Sequence, residues 1–156
     1  MKTIKQSITT VLLIAGFIFA GNANALDTNY QEDRNDTVKT AQADKDLFKK
    51  MEEAIVYSLK SENSGVLESI LYNTVEFKVK YPEFKSVAVE NALIQKVREG
   101  NNHTIRYKAF LALSYLKNQN KFEAPEKLAE YLNVKQPNRI FTYIDDKLRA
   151  DQLASR

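Results

Sequence analysis

Apolar residues recur at helical spacing through most of the chain after residue 43. Leu47, Phe48, Met51, Ile55 and Leu59 begin this pattern, with intervals of three and four residues that place them on one face of an α-helix. Breaks in the pattern divide it into six predicted helices, over about residues 46–59, 66–80, 83–99, 104–117, 125–132 and 138–153. The pattern therefore predicts an all-α domain over residues 44–154.

Residues with special backbone or capping properties mark the predicted helix ends. Asp44 or Asp46 is the candidate N-cap of the first helix, and Asn63-Ser64-Gly65 separates it from the second. The second helix stops before Pro82, because the residue preceding a proline disfavours the helical conformation. The third ends at Gly100, a residue type that commonly terminates helices.

The six helices fall into three pairs that repeat along the chain. First members begin near residues 46, 84 and 125, and second members near residues 65, 104 and 138. A period of roughly 40 residues with two helices per unit is typical of helical-repeat proteins, and three units are about the minimum for a stable stack. Because the second and third helices carry apolar residues around most of their circumference, we expect them in the middle of that stack.

One segment resembles a known repeat family. Residues 105–113, Ile-Arg-Tyr-Lys-Ala-Phe-Leu-Ala-Leu, resemble the second helix of a HEAT-type repeat, which reads Val/Ile-Arg-x-x-Ala-x-x-Ala-Leu. The resemblance implies three antiparallel hairpins stacked as a short solenoid. It also implies a structural role for Arg106, which would bond to carbonyls or an acid in an adjoining unit, and close helix packing at Ala109 and Ala112. An irregular helical bundle remains the alternative.

The first 25 residues have the order of a secretory signal peptide. Lys2 and Lys5 precede an apolar core over residues 11–20, and small residues follow up to Ala25, where we expect cleavage. The apolar stretch is shorter than the roughly 20 residues that a membrane-spanning helix needs. We therefore expect export to a bacterial periplasm or the medium, with residues 26–43 as a flexible polar lead.

Charge and cysteine content narrow the possible functions further. The signal segment contains two of the 23 Lys and Arg residues and none of the 20 Asp and Glu residues. The chain without this segment therefore has 21 basic and 20 acidic residues, and its net charge is +1. Nucleic-acid binding requires a concentrated basic surface. The nearly balanced charge of the remaining chain does not predict such a surface. With no cysteine in the chain, an exported domain would have to be stabilised by its core alone.

The sequence contains no recognisable catalytic or metal-binding motif. His103 is the only histidine, so a site with paired histidines is excluded. The adjacent carboxylates at residues 52–53 and 145–146 point to different sides of a helix, and neither pair is a natural acid–base couple. We therefore predict no catalytic residues, no metal and no cofactor.

A candidate binding strip lies opposite the buried face of residues 105–113. Its members are Tyr72, Tyr107, Phe110, Leu111 and Ser114. Such a strip either packs against neighbouring helices or forms a contact surface, for which aromatic anchors are well suited.

The leading hypothesis is an exported, non-catalytic helical-repeat module that binds another protein or a peptide. It binds no nucleic acid and has no membrane span after signal cleavage. A small inhibitor or immunity-type protein would be a version of the same class with one defined target. The alternatives are a small envelope enzyme that uses surface carboxylates and a membrane-surface protein that keeps its signal as an anchor.

Overall fold

The computed structural model describes residues 34–155, with side chains from residue 44 onward. All regular structure in this part of the chain is helical, which confirms the predicted all-α class. The α-helices are α1 Arg34–Ser58, α2 Ser64–Lys80, α3 Val87–Glu99, α4 His103–Lys117, α5 Pro125–Leu128 and α6 Asn138–Ala154, with 3₁₀ turns at Gln119–Lys121 and Ala129–Tyr131. The predicted signal peptide and residues 26–33 of the predicted lead lie outside the described residues.

The first helix begins earlier than the sequence pattern predicts. α1 starts at Arg34, so Asp44 and Asp46 lie inside the helix and the prediction that either is an N-cap was wrong. Residues 34–43 of the expected flexible lead are likewise helical. Residues 34–58 contain neither glycine nor proline, and extending an existing helix requires much less ordering than starting one. Even so, no helix within residues 34–155 combines the length and apolar content needed to cross a bilayer.

Polar side chains cap the next three helices. Asn63 Oδ1 accepts hydrogen bonds from two backbone N–H groups of α2 at 2.9 and 3.2 Å. Ser86 Oγ and Asn102 Oδ1 each accept from the backbone N–H three residues further on, at 3.0 and 2.9 Å. The cap at Ser86 places the start of α3 at Val87, four residues later than predicted.

The helices pack in pairs, but the third pair does not continue a regular repeat. α1 packs against α2 and α3, and α4 packs against α3, α2 and α6. In a HEAT-like solenoid the first helix of the third unit would lie against α3. Here α5 and the 3₁₀ turn that follows it lie against α2, and that turn also contacts α6. Since α5 has only four residues, it is too short to act as the first helix of a repeat.

The centre of the core lies on α2 and α4 rather than on α2 and α3. α2 buries nine residues, whereas α3 completely buries only Val89 and Leu93. Val87, at the start of α3, is 74% exposed. α3 does pack against two neighbours, α1 and α4, as expected for a middle position. One side of this helix nevertheless faces solvent despite its apolar residues.

Candidate functional site

A groove crosses α4 between α2 and α6. It consists of two adjoining clefts of about 410 and 310 Å³ that share Glu68, Lys108 and Phe141. Each shared residue comes from a different helix, namely α2, α4 and α6. We call this feature the α2/α4/α6 groove. Its volume falls in the range of clefts that hold small molecules or short peptide segments.

A partly buried ion pair forms part of the wall common to both clefts. Lys108 is 9% exposed, and its Nζ lies 2.9 Å from Glu68 Oε2 and 5.8 Å from the ring centroid of Phe141. Burying an ammonium group is costly unless it is paired and hydrogen-bonded. The carboxylate and the face of the aromatic ring together provide that compensation. The pair therefore fixes the relative positions of α2 and α4 at the groove.

A second polar network joins α4 to α6. The Tyr107 hydroxyl donates to Asp145 Oδ1, and Arg149 Nε lies 3.0 Å from both oxygens of that carboxylate. The hydrogen bond from Tyr107, followed by the contact with Arg149, lowers the pKa of Asp145 below its ordinary value. The same hydrogen bond and partial burial raise the pKa of the Tyr107 phenol. The network therefore holds Asp145 ionised and Tyr107 protonated at neutral pH.

Removing the Tyr107 hydroxyl should raise the pKa of Asp145 toward its ordinary value. A depressed carboxyl pKa stabilises the fold above the unfolded value of about 3.9, and this stabilisation is lost as pH falls through the lower folded value. Titration of the Asp145 carboxyl carbon by NMR in the Tyr107→Phe variant measures the change. The exposed Tyr57 supplies the control, Tyr57→Phe. An unchanged Asp145 titration in Tyr107→Phe would show that the hydrogen bond is not formed.

Three aromatic rings follow one another along the exposed side of α4. The ring centroids of His103 and Tyr107 are 6.2 Å apart, those of Tyr107 and Phe110 are 6.4 Å apart, and both pairs are near parallel. His103 and Tyr107 line the groove, and Phe110 extends the row beyond it with 42% of its surface exposed. This row gives the edge of the groove flat apolar surfaces on which a partner can pack.

The five residues of the predicted binding strip differ in how far they are exposed to solvent. Tyr72 and Leu111 are 6% and 2% exposed and belong to the core. Of the two alternatives for the strip, packing against neighbouring helices therefore applies to these two candidate binding residues. Their apolar surfaces face neighbouring helices and form only the floor of the groove. Tyr107 and Ser114 are half-buried, and Phe110 alone of the five is exposed. Burial raises the pKa of the Tyr72 phenol, as does the nearby Glu76 carboxylate.

The HEAT resemblance assigns a structural role to Arg106, Ala109 and Ala112. The environment of each residue is consistent with such a role. Arg106 is half-buried and donates from Nη1 to the Gly100 carbonyl at 2.9 Å. This contact closes the turn between α3 and α4 and lies within one hairpin, whereas the resemblance places it between units. Ala109 and Ala112 are fully buried on α4, and their small side chains leave room for the adjacent helices.

Neutral hydrogen-bonding side chains surround the groove. These are the exposed residues Ser69, Asn73, Thr104, Asn138 and Thr142. Hydroxyl and amide groups both donate and accept hydrogen bonds. The groove thus offers polar contacts that do not require a charged ligand.

Apart from Tyr72, sequence reasoning did not find the residues that α2 and α6 contribute to this site. Asp145 contacts Tyr107 from 38 residues away, and Glu68 contacts Lys108 from 40 residues away. Neither pair belongs to a recognisable motif. The one available signal was Phe141, which belongs to the apolar stripe of the sixth predicted helix.

No metal site accompanies the groove in the part of the chain that the structure describes. Its His, Asp and Glu residues form no group of three or more that could hold an ion. Comparison of the chain with protein-family models, with curated proteins and with solved structures gave no match.

Proposed function

We propose that this protein is an exported, non-catalytic helical protein that binds an extended peptide segment of another protein in the α2/α4/α6 groove. The main support for this proposal is that the groove combines an apolar floor with five exposed neutral side chains around it. The floor is formed by Tyr72, Leu111 and Phe141. An extended peptide presents one donor and one acceptor per residue. Hydroxyl and amide side chains suit that pattern, while the floor accepts an apolar side chain.

The charges at the groove favour a ligand without a strong net charge. Three acidic side chains border it, and each already has a basic partner. The pairs are Glu68–Lys108 at 2.9 Å, Glu76–Lys80 at 2.9 Å and Asp145–Arg149 at 3.0 Å. A charged ligand group would have to compete with these pairs, whereas a neutral peptide backbone would not.

The electrostatics also favour binding over acid–base catalysis. A general acid or base works best when its pKa lies near the operating pH. The pKa of Asp145 is lowered and that of Tyr107 is raised, so both move away from neutrality. The alternative function, a small envelope enzyme that uses surface carboxylates, would instead require acidic residues with raised pKa values.

Export is the part of this proposal that depends on sequence alone. It rests on the basic start, apolar core and small residues of positions 1–25.

Peptide selection tests the proposed function. Purified protein is used to enrich binders from a displayed library of random peptides, and affinities are measured by fluorescence anisotropy. Asn73→Arg and Thr142→Arg place bulky side chains at exposed positions of the groove, and each is expected to weaken the selected peptides by about tenfold or more. Both positions are exposed, so the fold should be retained.

The matched control is Asn91→Arg, a change at another exposed position, in a different cleft between α1 and α3. It should leave the affinity unchanged. Failure to enrich any peptide would contradict the proposed function. Equal affinities of all three variants and the original protein would place the peptide site elsewhere.

A further inference from the structure

Another cleft, beside the start of α3, has a different chemical character from the α2/α4/α6 groove. It has a volume of about 420 Å³ and is lined by three lysines, Lys78, Lys85 and Lys117. The side chain of Glu90 is the one carboxylate among its described lining residues. It shares no described lining residue with the α2/α4/α6 groove. We call it the α3 lysine cleft.

Lys78 is the unusual member of this cluster. It is 2% exposed, and its Nζ donates to the carbonyl oxygens of Pro82 and Phe84, both at 2.5 Å. Among the described residues, no carboxylate lies within 4.0 Å of this ammonium group. Buried charges are normally paired with an opposite charge. Here two carbonyl dipoles bind the ammonium without neutralising it.

The two other lysines add positive charge at the mouth of the cleft. Lys85 and Lys117 are exposed, and neither forms an ion pair within the described part of the chain. Burial lowers the pKa of Lys78 and repulsion from Lys85 lowers it further, while the nearby Glu83 and Glu90 carboxylates oppose this shift. The N-terminal end of α3, at Val87, also lines the cleft and adds a partial positive charge.

We infer that the α3 lysine cleft is a binding site for a phosphate-type oxyanion, either free or as the phosphate group of a small molecule. An ammonium has three N–H donors, and Lys78 uses two of them on carbonyl groups. Its third donor and the ammonium groups of Lys85 and Lys117 then bind the anion. The Gln119 amide and the apolar side chain of Leu116, which also line the cleft, contact the rest of a phosphorylated molecule.

NMR titration of the full protein tests this inference. Inorganic phosphate and glycerol phosphate are added separately at constant ionic strength, with chloride as the reference anion. Saturable shifts are expected at backbone amides near Ser86 and Gln119. Saturation by either probe supports the site, and preference for glycerol phosphate would identify a phosphorylated small molecule as the ligand. Shifts that do not saturate, or that chloride reproduces, would overturn the inference.

Two double variants, each of which removes two positive charges, distinguish specific anion binding in the cleft from general electrostatic attraction to the protein. The double change Lys85→Met and Lys117→Met is expected to weaken phosphate binding by about tenfold or more, because charge-assisted hydrogen bonds are lost. The double change Lys60→Met and Lys127→Met removes the same net charge at exposed positions outside the cleft. It should leave the affinity unchanged. Equal weakening in both double variants would overturn the assignment of the site.

Discussion

Leu111→Ala is expected to lower the free energy of unfolding by about 3 kcal/mol, within the usual range for a buried leucine. Leu111 is 2% exposed and belongs to the core cluster of the described residues. Truncation removes its contacts and leaves a cavity beneath the groove. Urea denaturation followed by circular dichroism measures the change. The same variant should also weaken peptide binding, because Leu111 forms part of the groove floor.

The adjacent residue supplies the control for this experiment. Phe110 is 42% exposed, so Phe110→Ala should cost about 1 kcal/mol or less, as expected for a partly exposed surface position. Similar losses in the two variants would show that Leu111 does not lie in the core. That outcome would instead favour the contact surface, the other alternative that the sequence pattern left open for the strip.

Gly100→Ala is expected to cost about 2 kcal/mol, since overpacking forces backbone shifts. A Cβ atom at this position would lie 2.6 Å from the Lys96 carbonyl oxygen and 3.0 Å from Arg106 Cγ. The φ angle of Gly100 is −59°, which any residue can adopt. Lack of space, rather than backbone conformation, therefore requires glycine between α3 and α4. Thermal and urea unfolding of the variant measure the loss.

Gly65→Ala is the matched control. Its Cβ would lie 3.3 Å from Asn63 Oδ1, which caps α2 and would have to shift by only a few tenths of an ångström. Alanine also has a higher helix propensity than glycine, by up to about 1 kcal/mol. This variant should therefore be close to the original protein in stability. A Gly100→Ala protein that is equally stable would contradict the tight contact between the α3–α4 turn and Arg106.

The sequence predicted those features of the fold that local interactions determine. Asn63, Pro82 and Gly100 act on the backbone within a few residues, and the breaks they mark agree with the ends of α2 and α3. The start of α3 was misplaced, because the turn before it is held by hydrogen bonds from Lys78. The position of α5 against α2 was also missed, since it depends on packing between distant parts of the chain.

The site was less predictable than the helices. The row from His103 to Phe110 follows from helical spacing and was partly recognised from Tyr107 and Phe110. The groove additionally needs residues of α2 and α6, which the fold brings to α4 from about 40 positions away. The chain carries no motif that links them. Burial of Tyr72 and Leu111 likewise depends on which helices cover α4, which a helical wheel alone does not specify.

The most direct test of the peptide-binding account is to map a selected peptide onto the protein by amide NMR shifts. The account expects the largest changes at Asn73, Thr104 and Thr142, on the three helices that form the α2/α4/α6 groove. Changes at the α1/α3 cleft, around Asn91 and Gln95, should be small. The opposite distribution, with the largest changes at Asn91 and Gln95 and none at the groove, would contradict the account.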